Sequence, residues 1–351
     1  MTAGSHAGAL VRRAGRRASL RVCGLLLGLA VLAGFHEGAG AEEIRKVVIA
    51  RQPGIQFLPL IVMQGEGLFE KHLKAANLAT TEVAWQEFAG GGDTNTALLS
   101  GAAQIAASGV PPFLTLWDKS NGAAKAVCAL SSYRYYLNTR NANVRTIADF
   151  SSADRISLPG VKVSMGAVVL QMMAAKQFGL ENYAKLDPLT VSLSFPDGMA
   201  ALSNPKSEIN SAFASPPYNY HELRLPGVHK VSDSYEVLGP ATTNLVFASQ
   251  QFHDANPKTY AAFLAAIREA MALIKADKRR AAEIYLRVGN DKRTTMAEML
   301  EMLNDPEIIF TEVPFNSMKW ADFMHSTKTL KRRPASWKDV FFEEIHSSNG
   351  S

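Results

Sequence analysis

The chain has 351 residues, 47% of them hydrophobic and 20% charged, with 37 Lys and Arg against 32 Asp and Glu. The composition is ordinary, without a low-complexity segment or a short internal repeat, and the length exceeds what a single compact core usually serves, so two lobes are expected. The surplus of bases lies in the first 41 residues; without them 32 bases face 31 acids, which excludes nucleic-acid binding as the meaning of the basic balance.

The start of the chain reads as an export signal. Arg12, Arg13, Arg16, Arg17 and Arg21 precede an apolar run at 22–32, and Ala39-Gly40-Ala41 supplies a small-residue cleavage site. The run is too short to span a bilayer. Residues 1–41 are therefore expected to be a signal peptide, and the mature chain to begin at Glu42 in the periplasm. Of the two cysteines only Cys128 would remain, so no intrachain disulfide is possible.

From residue 42 the elements alternate. A strand is expected at 45–51, leading to Gln56 and Phe57 at its carboxyl edge, and a helix from Pro59 that stops in the run Gly65 to Glu70. The alternating run 81–88 reads as a strand that ends in Gly90-Gly91-Gly92. Those glycines are expected to open backbone angles closed to other residues, with Asp93 and Thr94 as N-cap types for a helix from Asn95. A buried strand at 104–107 then ends in Ser108-Gly109-Val110-Pro111-Pro112, with a helix beginning at Phe113. Strand, turn, helix and strand in about 30 residues is the length of a parallel βαβ unit.

The next strand, 127–130, runs into Ser131 and Arg134, and 135–138 carries the chain out of the first lobe. The pattern then repeats. A strand spans 155–164, a helix 167–178 stops at Gly179, and a strand at 189–194 leads to Asp197 and a short helix from Met199. A strand at 209–214 ends in Ser215-Pro216-Pro217-Tyr218, matching the earlier proline turn. A return strand at 242–248 and the helix Pro257–Ala276, opened by Asn256-Pro257, lead to helical stretches at 280–286, 294–304 and 317–325 that pack on the first lobe and straddle the hinge. The expected organisation is lobe 1 at 42–137, lobe 2 at 138–240, and a return to lobe 1 over 241–351.

In open α/β sheets ligands sit beyond the carboxyl ends of the strands, where loose backbone N–H groups point outward. The candidate binding residues are therefore Gln56, Phe57, Gly91, Gly92, Thr94, Gly109 and Pro111 in the first lobe and at its exit Ser131 and Arg134. In the second they are Ser164, Gly166, Asp197, Pro217 and Tyr218. Catalytic groupings are missing: no H-E-x-x-H, C-x-x-C, G-x-S-x-G or P-loop occurs, and His221 and His229, in a loop setting, read as surface residues. Asp93 and Asp197 each sit where a carboxylate caps a helix. No catalytic residue, metal or cofactor is expected.

Placed in this order, the run Ala97-Leu-Leu-Ser-Gly-Ala-Ala-Gln-Ile-Ala-Ala-Ser-Gly-Val-Pro-Pro112, with Ile147-Ala-Asp-Phe150, Lys162-Val-Ser164, Ala255-Asn-Pro257 and the tail from Arg333-Pro-Ala-Ser-Trp337 to Phe342, resembles the periplasmic substrate-binding proteins of the nitrate/sulfonate/taurine (NitT/TauT) class of ABC importers. The resemblance covers nearly all of residues 44–346. It implies an α/β, periplasmic binding protein type II-like fold of two lobes joined by a crossover-strand hinge and closing on a small anion. Phe57, Gly92, Thr94, Gly109, Ser164, Gly166, Asp197 and Pro217 stand at the matching loop positions. It also implies a small-molecule solute and an inner-membrane permease with its ATPase as partners, and the protein is expected to be a monomer. One departure is Gln104, where an Asp is usual, which reads as structural. The loops are poor in Lys and Arg apart from Arg134, so an anion is expected to be held by helix N-termini, Ser and Thr hydroxyls and Arg134. Phe57, Phe113, Tyr133, Phe195 and Tyr218 leave open a flatter pocket for a pyrimidine-like or aromatic acid solute. The rival class, an enzyme on the same scaffold, needs a cysteine-rich or lysine-cofactor site that this chain lacks.

Overall fold

The computed structural model describes residues 42–351 apart from Asn290, so the expected signal segment lies outside the described residues. Glu43–Ser351 form one compact unit built on two sheets. In chain order the unit begins with β1 (Lys46–Arg51), α1 (Leu58–Gly65), α2 (Leu68–Ala75), β2 (Glu82–Glu87), α3 (Gly91–Leu99), β3 (Ile105–Gly109), α4 (Val110–Lys119) and β4 (Ala124–Ser132). The middle of the chain forms β5 (Tyr136–Thr139), β6 (Ile156–Leu158), α5 (Met165–Phe178), β7 (Thr190–Ser192), α6 (Phe195–Ser203), β8 (Ser211–Ala214), α7 (Tyr218–Leu223), β9 (His229–Asp233) and α8 (Tyr235–Leu238). Then follow β10 (Asn244–Ser249), α9 (Gln250–Ala255), α10 (Pro257–Ala276), α11 (Lys278–Val288), α12 (Met296–Asn304), β11 (Ile309–Phe310) and α13 (Met318–Ser326).

The six-stranded sheet has the order β11-β4-β10-β3-β1-β2, and the five-stranded sheet the order β7-β6-β8-β5-β9. In the first, β1 runs parallel to β2 and β3, while β10 returns antiparallel between β3 and β4. In the second, β6 is parallel to β7 and β8. The chain passes between the sheets through Tyr133–Tyr135 and back through 239–243, at the edge where Asn244 pairs with Gly109 and Ser131 and Tyr136 pairs with Ala214. That shared edge aims the carboxyl ends of both parallel sets at each other.

The six-stranded half has a continuous apolar core, because strands covered by helices on both faces need apolar side chains throughout. Val47, Ile49 and Ala50 of β1 are wholly buried, as is β3. Phe113 packs on Phe247 at 5.3 Å, and Phe69 meets Phe263 edge-on at 5.4 Å where α10 lies over α2. Gln104 is structural in a specific way: its Oε1 accepts from Val48 N at 2.8 Å and its Nε2 donates to the Gly101 carbonyl at 2.9 Å. A carboxylate there would accept but not donate.

Several elements start earlier than the sequence pattern suggests. α3 begins at Gly91 rather than Asn95, α4 at Val110 rather than Phe113, α5 at Met165 and α6 at Phe195. The N-cap of α3 is Gly90, with Asp93 inside its first turn, and none of Gly90, Gly91 and Gly92 has a positive φ. The expected strand 155–164 shrinks to Ile156–Leu158, since the chain turns at Lys162, whose φ is 69°. His221 and His229 are not loop residues: they lie on α7 and β9, and His221 is buried with Nε2 2.9 Å from Thr294 Oγ1. Burial lowers the His221 pKa.

The segment 291–307 binds the five-stranded half through polar side chains. Besides the His221 contact, Arg224 pairs with Glu298 and Tyr220 donates to Asp305 Oδ2 at 2.7 Å. Arg134, in the crossover, pairs with Asp233 at 3.1 Å and donates to Glu307 at 2.6 Å. These contacts tie the C-terminal segment across the passage between the sheets.

Beneath the five-stranded sheet Glu222 is buried at 1% exposure, with Asn138 Nδ2 donating to it at 2.8 Å. Burial pushes its carboxyl from 4.5 up to about 8, against the pull of that hydrogen bond. The folded chain keeps the proton that the unfolded chain releases near 4.5. This contribution to stability is complete below that value and is lost as pH rises through about 8. Glu222→Gln is therefore expected to match wild type in thermal melts at pH 4 and to melt at least a few degrees higher at pH 8.5, about 2–4 °C for each kcal/mol gained. Equal melting at both pH values contradicts this. Gln104→Ala strands the Val48 N–H at the start of β1, and urea unfolding is expected to read a loss of about 1–3 kcal/mol.

Candidate functional site

Between the carboxyl ends of the two parallel strand sets lies a cavity of about 30 Å³, room for roughly two water molecules. On the six-stranded side its walls come from Gln52 and Gln56 after β1, Gly91 after β2, Gly109 and Pro112 after β3, and Asn244 at the start of β10. The five-stranded side supplies Pro159, Ser164 and Met165 after β6 and Phe195 after β7, and the crossover contributes Tyr133 and Tyr135. A larger groove of about 590 Å³ lies between α10 and residues 303–313. Only α11 starts on it, at Lys278, and Arg268 in its wall is already paired with Glu312 at 2.6 Å, so chemistry rather than size selects the smaller cavity, where helix starts from both halves meet.

Helix N-termini from both halves reach the cavity. In α3 the N–H groups of Asp93 and Thr94 fall back on the Gly90 carbonyl at 3.2 and 3.3 Å, leaving those of Gly91 and Gly92 without an acceptor in their own helix. In α5 Ser164 caps Ala167 N at 3.2 Å, which leaves Met165 and Gly166. In α6 Ser194 accepts from Asp197 N at 3.3 Å, and Pro196 has no N–H, which leaves Phe195. The first turn of α4 adds no donor: Pro111 and Pro112 lack one, and Val110 N donates to the Thr243 carbonyl at 2.9 Å. Each of these N-termini carries about half a positive charge.

The cavity lining holds no ionisable acid or base apart from the tyrosines. Burial raises the phenol pKa of Tyr133, whose hydroxyl donates to Asn244 Oδ1 at 2.9 Å and leaves the Asn244 amide nitrogen for the cavity. Gln56 Nε2 is committed to the Pro53 carbonyl at 2.9 Å, and its Oε1 is buried without a donor. Tyr135 stacks on Phe213 at 4.8 Å and meets Phe195 edge-on at 6.0 Å, while Phe195 stacks on Tyr218 at 5.6 Å. At the end of β1, beside Gln52, Arg51 pairs with Glu87 at 2.6 Å and is 5% exposed. Burial lowers the Arg51 pKa against the pull of Glu87.

The structure brings together Gln56, Gly91, Gly109 and Ser164 of the sequence-predicted residues. Gly92 and Asp197 are exposed at the first turns of α3 and α6, and Asp197 Oδ2 accepts from its own N-cap Ser194 at 2.5 Å. Thr94 is buried and donates to the Gly91 carbonyl at 2.9 Å, holding that turn in place. Phe57 is core, and Pro111 is buried where its neighbour Pro112 reaches the wall. Ser131 is buried, its carbonyl taken by Thr243 N at 2.9 Å and its hydroxyl unpaired. Gly166 packs against Tyr135, Pro217 is the N-cap of α7, and Tyr218 lies behind Phe195. Arg134 is engaged by two carboxylates at the crossover rather than facing the cavity. Of the aromatic residues singled out, Tyr133 and Phe195 line the cavity, while Phe57 and Phe113 belong to the core. The sequence pattern does not single out Gln52, Tyr135, Pro159, Met165 or Asn244 as binding residues. Their signal was position, since each falls within a few residues of a strand end or a crossover.

No protein-family model and no curated protein sequence matches the chain. Solved structures do. The alkanesulfonate-binding protein SsuA from Xanthomonas axonopodis pv. citri bound to MOPS superposes with a TM-score of 0.68 at 19% identity, over 86% of this chain and 99% of that one. The periplasmic nitrate-binding protein NrtA from Synechocystis PCC 6803 gives 0.60 at 13% identity, over 86% and 85%. The Candida albicans CA3427 gene product, described as having the generic periplasmic binding protein structural fold, gives 0.63 at 15%, over 86% and 93%. With helix N-termini from both sheets meeting at one cavity, and 86% of the chain superposing on these structures, the chain has the periplasmic binding protein fold.

Proposed function

We propose that this protein is the extracytoplasmic solute-binding component of an ABC importer of the nitrate/sulfonate/taurine class. It binds a small organic sulfonate or nitrate-type oxyanion between its two halves. The observation that carries the reading is the convergence of the α3, α5 and α6 N-termini on one cavity whose lining has no Lys, Arg, Asp or Glu. Backbone N–H groups and helix dipoles hold an oxyanion without a cation, and a neutral lining lets the solute leave again. Likeness to sulfonate- and nitrate-binding proteins supports this choice of solute over a pyrimidine or aromatic acid.

Amides, hydroxyls, rings and a thioether bind; they offer no nucleophile with an adjacent base, so the reading is capture without chemical change. The halves close on the solute, and the closed form is presented to an inner-membrane permease and its ATPase. The basic, apolar and small-residue pattern of residues 1–41 supports export to the periplasm, and no helix among the described residues is long and apolar enough to cross a membrane.

A thermal-shift series with methanesulfonate, butanesulfonate, nitrate, uracil and benzoate tests this. A solute at 100 times its Kd stabilises the folded chain by about 2.7 kcal/mol, and a sulfonate or nitrate is expected to give the largest rise in Tm. A rise with uracil or benzoate alone moves the assignment to an aromatic solute, and no rise at all refutes it. Ser164→Ala removes the cap of α5. It is expected to cost about 1 kcal/mol of stability and to weaken whichever oxyanion binds, read by calorimetry.

A further inference from the structure

We infer that Gly90 is the positioning residue that sets solute affinity in this protein, by allowing the two halves to meet at the Pro159 carbonyl. The inference rests on the proposed binding role of the cavity, and goes beyond it in assigning closure to one backbone contact.

Gly90 is buried at the N-cap of α3 with φ −153° and ψ 167°, an extended conformation that any residue adopts. Its backbone angles therefore give no reason for a glycine. Space does. A Cβ built on Gly90 would lie 2.6 Å from the carbonyl oxygen of Pro159, which belongs to the loop after β6 in the opposite half. That atom is backbone and cannot rotate away as a side chain can. The two glycines that follow differ. A Cβ on Gly91 would meet Pro112 at 2.6 Å, inside its own half, and one on Gly92 would meet nothing within 4 Å. Of three consecutive glycines, one faces across the cavity, one serves the packing of α3 on α4, and one is free of contact.

A second approach across the same gap is looser: a Cβ on Gly109 would stand 3.2 Å from Met165 Cβ. Gly90 and Gly109 thus let two loops of one half touch two points of the other. A methyl group at Gly90 wedges the halves apart and breaks the enclosure without altering a residue that lines it. The apparent affinity of a solute is its intrinsic affinity scaled by the fraction of molecules in the competent arrangement. Loss of closure therefore weakens binding through faster release more than through slower capture.

The test compares the full chain of wild type, Gly90→Ala and Gly92→Ala by small-angle X-ray scattering and by calorimetric titration with methanesulfonate and nitrate. Gly90→Ala is expected to show a larger radius of gyration than wild type, with or without solute, and at least about tenfold weaker binding with faster dissociation. Gly92→Ala, whose added methyl meets nothing within 4 Å, is expected to match wild type in radius. Circular dichroism melts identify whether Gly90→Ala folds. If it does not, Gly109→Ala takes its place and is expected to shift the radius in the same direction by less. Equal radii for wild type and the folded glycine variant overturn the inference, whatever the solutes do. If wild type binds neither solute, the functional proposal fails while the comparison of radii still decides whether Gly90 governs closure.

Discussion

The whole arrangement depends on a chain that crosses between its sheets twice at one edge. Tyr133–Tyr135 carry it over and 239–243 bring it back, and the Tyr133 hydroxyl bonded to Asn244 Oδ1 at 2.9 Å pins the outgoing crossover to the incoming strand. Around this pair Thr243 N and Oγ1 both donate to the Ser131 carbonyl at 2.9 Å, and Trp320 Nε1 donates to the Thr242 carbonyl at 2.8 Å. Because both parallel strand sets end at this edge, helices that follow them start there too. The direction of their dipoles is a consequence of topology, and no charged side chain is needed to create the positive end.

Charged side chains serve another purpose. Arg134, Asp233 and Glu307 at the crossover, with Arg224–Glu298 and Tyr220–Asp305 beside them, hold the C-terminal segment across the passage between the sheets. The ion pairs sit where the halves are joined and the neutral hydrogen-bonding groups where they face each other. This division keeps the cavity free of fixed counter-charges that compete for an oxyanion.

Much of this was legible in the chain itself. Strand and helix order followed from periodicity, and the proline turns at 108–112 and 215–218 fell at strand ends as their chemistry requires. Gln56, Gly91, Gly109 and Ser164 were reachable because each falls at or just beyond the carboxyl end of an expected strand. The partners of Arg134 were not legible, because a lone arginine in a polar loop gives no sign of carboxylates 99 and 173 residues away. Arg51 was overlooked as the last residue of an apolar strand, where its pairing with Glu87 on the neighbouring strand is a matter of register. The short β9, β11 and α7 carry too few residues for a period to show.

The amino-acid sequence by itself determined the alternation of strands and helices, the repeated half and the poverty of cationic groups near the strand ends, because these depend on neighbours along the chain. Only the tertiary structure decided what the glycine run is for. Local chemistry read it as three freely turning residues, whereas Gly90 is extended and is small because a carbonyl from the other half lies where its side chain would go. The contact joins residues 69 positions apart in different halves, and an approach of that kind leaves no trace in either local sequence.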